Sequence, residues 1–486
     1  MFGATNGDDV VDDRPNILLL FPDQWRWDWD GDHDVRLDLP NIRRIARSGT
    51  VFKEAFVPSP LCAPSRACLA AGRSYDRSGV PNNFQNDYPI NQTTFFSKLR
   101  DTGYWTMTVG KDDLTKASQL GTRNHQGDWR GLFHQHELGF SDGLRSAGKM
   151  DVVDTKEPHD MYGHFLKEHS VTVNDTNLSA WNAHYTCMKH LDQCNYANMF
   201  PDSLYEDNWV AENALTLLRR RDQDRPYFMM VNFPGPHPPF LVTSNMTKLN
   251  LNQTYPKAID NENSTSETCY VNGEPQDDDR CSYAAELLNL DRLFGKILNQ
   301  VNQENTIVCY ASDHGEMLSD HGDVGKTMPW SGSVSVPLAC SGPGIAKGKI
   351  VTRPVSTMDL AATFLDFGGA EKAEGMSSVS LRPLMSSNDE NDYDRPYIAS
   401  GLDNWRMVVE SETNLKFVCC KGKCPGAPKN APDVDQNGWQ QVLYNVSSDP
   451  YDMNPLTVDG DVMSRLRRQL PRSFGCGSSS SYHSIN

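Results

Sequence analysis

An α/β fold, in which a large, mixed, mostly parallel sheet is flanked by helices and followed by a smaller C-terminal α+β subdomain, is the architecture this sequence predicts. Three observations carry it. Short apolar runs bounded by proline or polar residues, such as Ile17 to Phe21, recur as far as Val336 to Cys340 and alternate with helix-spaced segments, as strands buried on both faces of a parallel sheet do. With 486 residues, the chain suits one large domain with a smaller companion. Beyond Gly368-Gly369 the pattern changes to short runs at close spacing, the mark of a small antiparallel sheet.

Composition narrows the function. The formal charge of −17 argues against a phosphate-rich partner, so no nucleic acid is expected. No run reaches the 18 or more apolar residues of a membrane span. Residues 1–13, read as a flexible N-terminus, hold four acids and no base. They do not resemble a signal peptide, so either one has been removed or none existed. Cys187 and Cys194, Cys269 and Cys281, and Cys419, Cys420 and Cys424 lie close in sequence within polar segments, as short-loop disulfides do. Asn-x-Ser/Thr triplets occur at Asn91, Asn174, Asn177, Asn245, Asn252, Asn263 and Asn445. Both features favour a secreted or lumenal protein.

A catalytic domain is expected over 14–370. Its first strand, the run from Arg14 to Pro22, ends in Asp23-Gln24. Ligands gather at the carboxyl ends of strands in open α/β sheets, although an aspartate there is by itself no more than a turn. Leu39 to Arg47 has helical spacing, and Val51 to Val57 is extended and leads to Cys62-Ala63-Pro64-Ser65-Arg66. Proline favours the first helical position, so Cys62 is expected just before a helix N-terminus. A helix over Thr94 to Arg100 precedes a strand over Tyr104 to Val109 that ends in Gly110-Lys111-Asp112-Asp113. Residues 115–205 lack sustained periodicity and read as long loops or an insertion. The spacing of His134, His136, His159 and His164 there fits no zinc pattern.

Helical spacing returns over Asp207 to Arg221, and the strand Arg225 to Phe233 delivers His237 between prolines. A polar loop over 241–280 precedes a long amphipathic helix from Cys281 to Val301. The strand Thr306 to Tyr310 runs into Ser312-Asp313-His314-Gly315-Glu316, with Lys326 beyond. A helix over Ser356 to Phe367 closes the domain. The C-terminal subdomain, 371–472, contains paired strands at Trp405 to Glu410 and Leu415 to Cys419, and another over Gln441 to Asn445. The Ser-rich tail, 473–486, reads as disordered apart from Cys476.

The stretch from Cys62 to Arg66, followed by Gly72-Arg73, resembles the signature of the type I, formylglycine-dependent sulfatases of the alkaline phosphatase-like superfamily. Ser312-Asp313-His314-Gly315-Glu316 resembles that family's second metal-binding motif. The likeness extends from Asn16 to about Leu456. It implies that Cys62 becomes formylglycine through a formylglycine-generating enzyme, with Arg66 orienting the hydrated aldehyde. It also implies a divalent metal, most often Ca2+ with Mn2+ and Mg2+ open, held by Asp23, Gln24, Asp313, His314 and the residue at Cys62. Lys111 and Lys326 would bind the sulfate, and His237 would touch the ester and protonate the leaving group. Attack by one hydroxyl of the hydrate would give a sulfoenzyme, from which the second hydroxyl expels sulfate.

Two departures stand out. Where the family has Gly-Lys-x-His-Leu this chain has Asp113, and Trp330 to Ser335 replaces a Tyr-Glu segment. The expected substrate is a sulfated carbohydrate, with choline sulfate and aryl sulfates left open. Alternatives are a phosphonate or phosphate monoester hydrolase of the superfamily, or a catalytically silent protein that grips sulfated glycans.

Overall fold

The computed structural model describes residues 13–476, apart from 34, 117–130, 154–155, 174, 192–193, 195, 251–252, 266, 272–273, 276–278, 387–392 and 458–459. The expected N-terminal stretch, save Asp13, and the tail beyond Cys476 lie outside the described residues.

Eight strands form the main sheet: β1 (Asn16–Pro22), β2 (Gly49–Phe52), β3 (Trp105–Gly110), β4 (Asp142–Arg145), β5 (Tyr227–Phe233), β6 (Thr306–Ala311), β7 (Leu338–Ser341) and β8 (Lys349–Val351). Their order is β8-β2-β7-β6-β1-β5-β3-β4. Only β7 runs antiparallel to its neighbours, β6 and β2; the other pairings are parallel. The four central strands β6, β1, β5 and β3 therefore end on one edge, and the register sets Pro22 beside Phe233 and Gly110 beside Asn232.

Alternation along the strands divides the core. Leu18, Leu20, Met229 and Val231 face one side, packed with α1 (Pro40–Ser48), α7 (Glu206–Arg220) and α8 (Asp279–Leu298). Ile17, Leu19, Phe21 and Met230 face the other, against α2 (Cys62–Ala71), α3 (Phe95–Asp101) and α9 (Asp359–Phe367). Each such side chain withdrawn from water contributes about 1.5–3 kcal/mol, which is why β1 and β5 read as near-continuous apolar runs.

The expected long loops over 115–205 contain more order than the sequence suggested. Three helices, α4 (Gly131–Leu138), α5 (Met161–Glu168) and α6 (Ala180–Lys189), lie there with a small hairpin between Ser170–Val173 and Thr176–Ser179. Tyr162, Leu166, Trp181 and Phe200 join the core of the first face. Helices of 8 to 10 residues, whose buried positions mix Tyr162 and Trp181 with small or polar residues such as Gly163 and His184, are too short for a periodic signal.

The C-terminal sheet is an antiparallel meander of β9 (Tyr397–Leu402), β10 (Trp405–Glu410), β11 (Leu415–Lys421) and β12 (Trp439–Asn445). One face packs on Phe56, Val57, Met317 and Trp330, and the other on α10 (Gly460–Arg467). A buried ion pair, Lys416 Nζ to Asp452 Oδ2 at 2.8 Å, adds a polar tie, because the same oxygen accepts from Ser331 N at 2.7 Å and Oγ at 2.9 Å. Disulfides join Cys187 to Cys194 and Cys269 to Cys281, as the spacing suggested, and also Cys309 to Cys340, Cys419 to Cys476 and Cys420 to Cys424. Cys62 and Cys68 are free and buried. No described helix is long and apolar enough to cross a membrane.

Candidate active site

The convergence of four strand ends explains how residues far apart in sequence meet. Asp23 and Gln24 follow β1, Lys111 and Asp113 follow β3, His237 follows β5, and Asp313 and His314 follow β6. Cys62 enters from the side at the start of α2. That helix begins two residues before the expected Pro64, its first bond running from Ser65 N to Leu61 O at 2.9 Å. Proline is tolerated at 64 because backbone N–H groups in the first turn have no intrahelical partner. The Ala63 N–H instead donates to Asn83 Oδ1 at 3.0 Å.

Asp23, Cys62, Asp313 and His314 bring one ligand atom each within 4.8 Å of one another, all buried. His314 donates Nδ1–H to the Gly315 carbonyl at 3.0 Å. Its Nε2 then faces Asp23 Oδ1 at 3.5 Å, Asp313 Oδ1 at 3.7 Å and Cys62 Sγ at 3.3 Å. Lone pairs gathered in this way are stable around a shared cation or proton, and the two carboxylate oxygens and one imidazole, beside the sulfur at 62, suit a divalent metal. Gln24, at a left-handed φ of 72°, donates its backbone N–H to Asp313 Oδ1 at 3.0 Å and its amide nitrogen to Glu316. Its amide oxygen accepts from Lys326 Nζ at 2.6 Å.

Cations surround this group. The Arg66 guanidinium donates to Asp313 Oδ2 at 2.9 Å, Asn232 Oδ1 at 3.0 Å and Asp23 Oδ2 at 3.3 Å. Lys326 Nζ is 3.4 Å from Cys62 Sγ. Lys111 binds Asp23 Oδ2 and, at 2.7 Å, Asp113 Oδ2. Burial alone would push the Asp23 carboxyl up, but Lys111 chiefly, with His237, Lys326 and His314, holds it well below the usual carboxylate range. Burial and Asp23 likewise push the Cys62 thiol up. Lys111, Lys326 and His314 outweigh them and draw it down to about 5.

His237 sits half-buried in a loop with cis bonds at Gly235-Pro236 and Pro238-Pro239. Its Nδ1–H donates to the Pro238 carbonyl at 2.6 Å, which leaves Nε2 as its exchangeable position. Burial, with Lys326 next, holds its pKa well below the ordinary value.

All nine residues singled out from the sequence are thus near one another. Others were missed. Asn232 and Asn83 fix Arg66 and the start of α2, Glu316 takes the Gln24 amide, and Lys116 pairs with Asp113 at 3.2 Å. Glu316 lay within the second motif, and Asn232 stands at a strand end, so both carried a signal; Asn83 and Lys116 carried none. His136, His159 and His164 join no group of potential metal ligands among the described residues.

Comparison with known proteins matches this geometry. A sequence profile of the family described as Sulfatase covers residues 15–370. An arylsulfatase of Clostridium perfringens is 26% identical over 84% of this chain and 87% of its own. An endo-4-O-sulfatase of Bacteroides thetaiotaomicron is 26% identical over 94% and 91%. Among solved structures, one named as a complex with its substrate D-glucosamine-2-N,6-O-disulfate superposes with a TM-score of 0.65 at 17% identity, over 96% of this chain and all of that one. A phosphonate monoester hydrolase of Agrobacterium radiobacter shares the fold with a TM-score of 0.65 at 18% identity, over 94% of each chain. A profile spanning the whole parallel sheet and both motifs decides the matter: the chain belongs to the sulfatase family.

Proposed function

We propose that this sulfatase hydrolyses sulfate monoesters of carbohydrates through a formylglycine made from Cys62, with the aid of one divalent metal ion. The observation that carries the reading is the ring of Arg66, Lys111 and Lys326 around Cys62, because a sulfate ester reacts only where its sulfuryl oxygens are neutralised.

In this reading Cys62 Sγ marks where the oxygens of the hydrated aldehyde would stand. That group, when formed, supplies a nucleophilic oxygen and a second hydroxyl through which sulfate is released. Asp23, Gln24, Asp313 and His314 would hold the metal, Ca2+, Mn2+ or Mg2+, which would supply positive charge to polarise the ester. Lys111 and Lys326 bind sulfuryl oxygens. Arg66, fixed through three acceptors, orients the side chain at 62. His237 gives its Nε2 proton to the departing sugar oxygen. Cys62 is 1% exposed, so a formylglycine-generating enzyme would have to reach it before α2 packs.

Five disulfides support a secreted or lumenal setting. Asn91, Asn177, Asn245 and Asn263 stand exposed as glycan acceptors. The division into a catalytic part over 14–370 and a subdomain over 371–472 is supported by the change from parallel to antiparallel sheet. A carbohydrate substrate is supported by the relative named as an endo-4-O-sulfatase and by the structural neighbour named with a disulfated glucosamine as its substrate.

Sulfate release from a panel of sulfated mono- and oligosaccharides tests the reading, alongside kcat/KM on matched aryl sulfate and phosphonate esters. Release from the sugars with sulfate preferred supports it. Preference for the phosphonate would transfer the chain to the hydrolase alternative, and binding without turnover by converted protein would make it a silent glycan-binding protein.

A further inference from the structure

The loop that carries His237 is held from behind by residues with no place in the chemistry above. His237 fixes its own ring only through the neighbouring Pro238 carbonyl, and among the described residues no other side chain hydrogen-bonds that ring. The direction of Nε2 is therefore set by the backbone from Gly235 to Pro239. Besides backbone bonds, such as Asp23 N–H to the Gly235 carbonyl at 3.2 Å, two side chains from other elements hold that backbone. Asp207 of α7 accepts the Gly235 N–H through Oδ1 at 2.9 Å. Lys149 donates Nζ–H to the His237 carbonyl at 3.0 Å and to Glu286 Oε2 of α8 at 2.5 Å.

These groups are expensive to bury. Lys149 is 6% exposed and Glu286 and Asp207 are fully enclosed, and a buried charge is tolerated only with a close partner. Lys149 follows Gly148, whose φ of 95° and lack of a Cβ let the Lys111 stem pass; a Cβ there would lie 2.5 Å from Lys111 Cδ. The turn after β4 is thus wedged between Lys111 on one side and the His237 carbonyl on the other. It belongs to the 115–205 segment, the least periodic part of the chain.

We infer that Lys149, anchored by Glu286, is a positioning residue that holds the His237 loop so that Nε2 meets the leaving-group oxygen, while Asp207 fixes the same loop at Gly235. The inference rests on reading His237 as the acid. It follows that Lys149 matters only where the leaving group needs a proton. Placement errors near 1 Å cost about 100-fold in such steps.

The test uses the full-length, converted enzyme with two probes, a sulfated sugar whose alkoxide leaves poorly and 4-nitrophenyl sulfate, whose phenolate leaves unaided. Lys149→Met is expected to lower kcat on the sugar by about 10–100-fold, with KM and 4-nitrophenyl sulfate turnover little changed. The double variant with His237→Ala is expected to lose no more than His237→Ala alone. Equal losses on both probes, or losses that add, would overturn the inference. If His237→Ala itself failed to distinguish the probes, the acid assignment would fall and take this inference with it. If His237→Ala distinguished them and Lys149→Met did not, only the inference would fall. Should Lys149→Met not fold because Glu286 is left alone, the double variant Lys149→Met/Glu286→Gln removes the buried pair together and carries the same comparison.

Discussion

His314 Nε2 stands 3.3 Å from Cys62 Sγ, with the other nitrogen of the ring spent on the Gly315 carbonyl. The side chain at position 62 is thereby placed against a ligand-bearing imidazole on one side and Lys326 on the other. A thiol drawn down to about 5 is a thiolate at neutral pH, yet a thiolate has no second hydroxyl with which to expel sulfate. Cys62→Ser keeps an oxygen there and also lacks the second one. It is expected to abolish multiple turnover, and mass spectrometry of the active wild-type protein should find the Cys62 sulfur replaced by oxygen. Sustained turnover by the serine variant would refute the mechanism.

The same cluster predicts a response to chelation. Without a cation, His314 Nε2 faces the Asp23 and Asp313 carboxylates at 3.5 and 3.7 Å. Metal at 100 times its dissociation constant should stabilise the fold by about 2.7 kcal/mol. Thermal unfolding of protein treated with a chelator, then resupplied with Ca2+, Mn2+ or Mg2+, measures this. His314→Ala should weaken the response; an unchanged melting curve on chelation would count against a metal at these residues.

Asp113 stands where the resemblance led one to expect histidine, and its carboxylate joins two buried ammoniums, Lys111 at 2.7 Å and Lys116 at 3.2 Å. Lys116 reaches Asp151 as well, at 2.6 Å. Burial opposes the Asp113 charge, but Lys111 and Lys116 overcome it and hold the carboxyl far below its usual range. Asp113→Asn should therefore leave two like charges poorly balanced, at a cost of about 3–5 kcal/mol in denaturant unfolding. Lys111 should lose its fixed place, so kcat/KM should fall as well. A variant with unchanged stability would show that the Asp113 charge does not hold these lysines.

What could be read in advance follows from how local each signal is. Strands β1, β5 and β6 are buried on both faces, so each is a continuous apolar run, and each ends in the polar residues that form the site. The strand ends located Asp23, Lys111, His237 and Asp313, but taken alone the first three read as turns or a solvated lysine; their roles, like those of Gln24, Arg66, His314 and Lys326, came from the family resemblance. Lys149 and Lys116 were not visible. Neither stands at a strand end, and their meaning comes from partners such as Glu286 and Asp113 that only the folded chain brings near. The Cys309–Cys340 bridge was hidden likewise, since only the antiparallel register of β6 and β7 sets those residues opposite.

Among the aromatic residues of the poorly legible segment, His184 is buried beside Tyr196 and Phe200, and burial lowers its pKa to about 4. The unfolded chain, with histidine near its ordinary 6.5, binds the proton more readily between those values. Stability is then lost as pH falls from 6.5 to 4, by up to about 3 kcal/mol from this group. Comparing wild type with His184→Phe in denaturant unfolding at pH 7 and pH 4.5 isolates it. The variant should lose less on acidification; identical losses would remove His184 as the cause.

The pH dependence of the reaction follows from the environment of His237. Burial and then Lys326, joined by Lys111 and Lys116, hold the imidazole well below 6.5, with Asp23 opposing. The group acts as an acid only when protonated, and its protonated fraction falls as pH rises through that lowered value. For a sulfated sugar, kcat/KM should decline with rising pH along a limb whose midpoint lies below 6.5. For 4-nitrophenyl sulfate the limb should be absent, because that leaving group needs no proton. Removing the strongest nearby cation should move the limb toward the ordinary histidine value, so Lys326→Met should shift its midpoint upward even as overall activity drops. Initial-rate profiles for both substrates and both proteins decide the matter. A limb common to the two substrates, or one that Lys326→Met leaves in place, would assign the proton to some group other than His237.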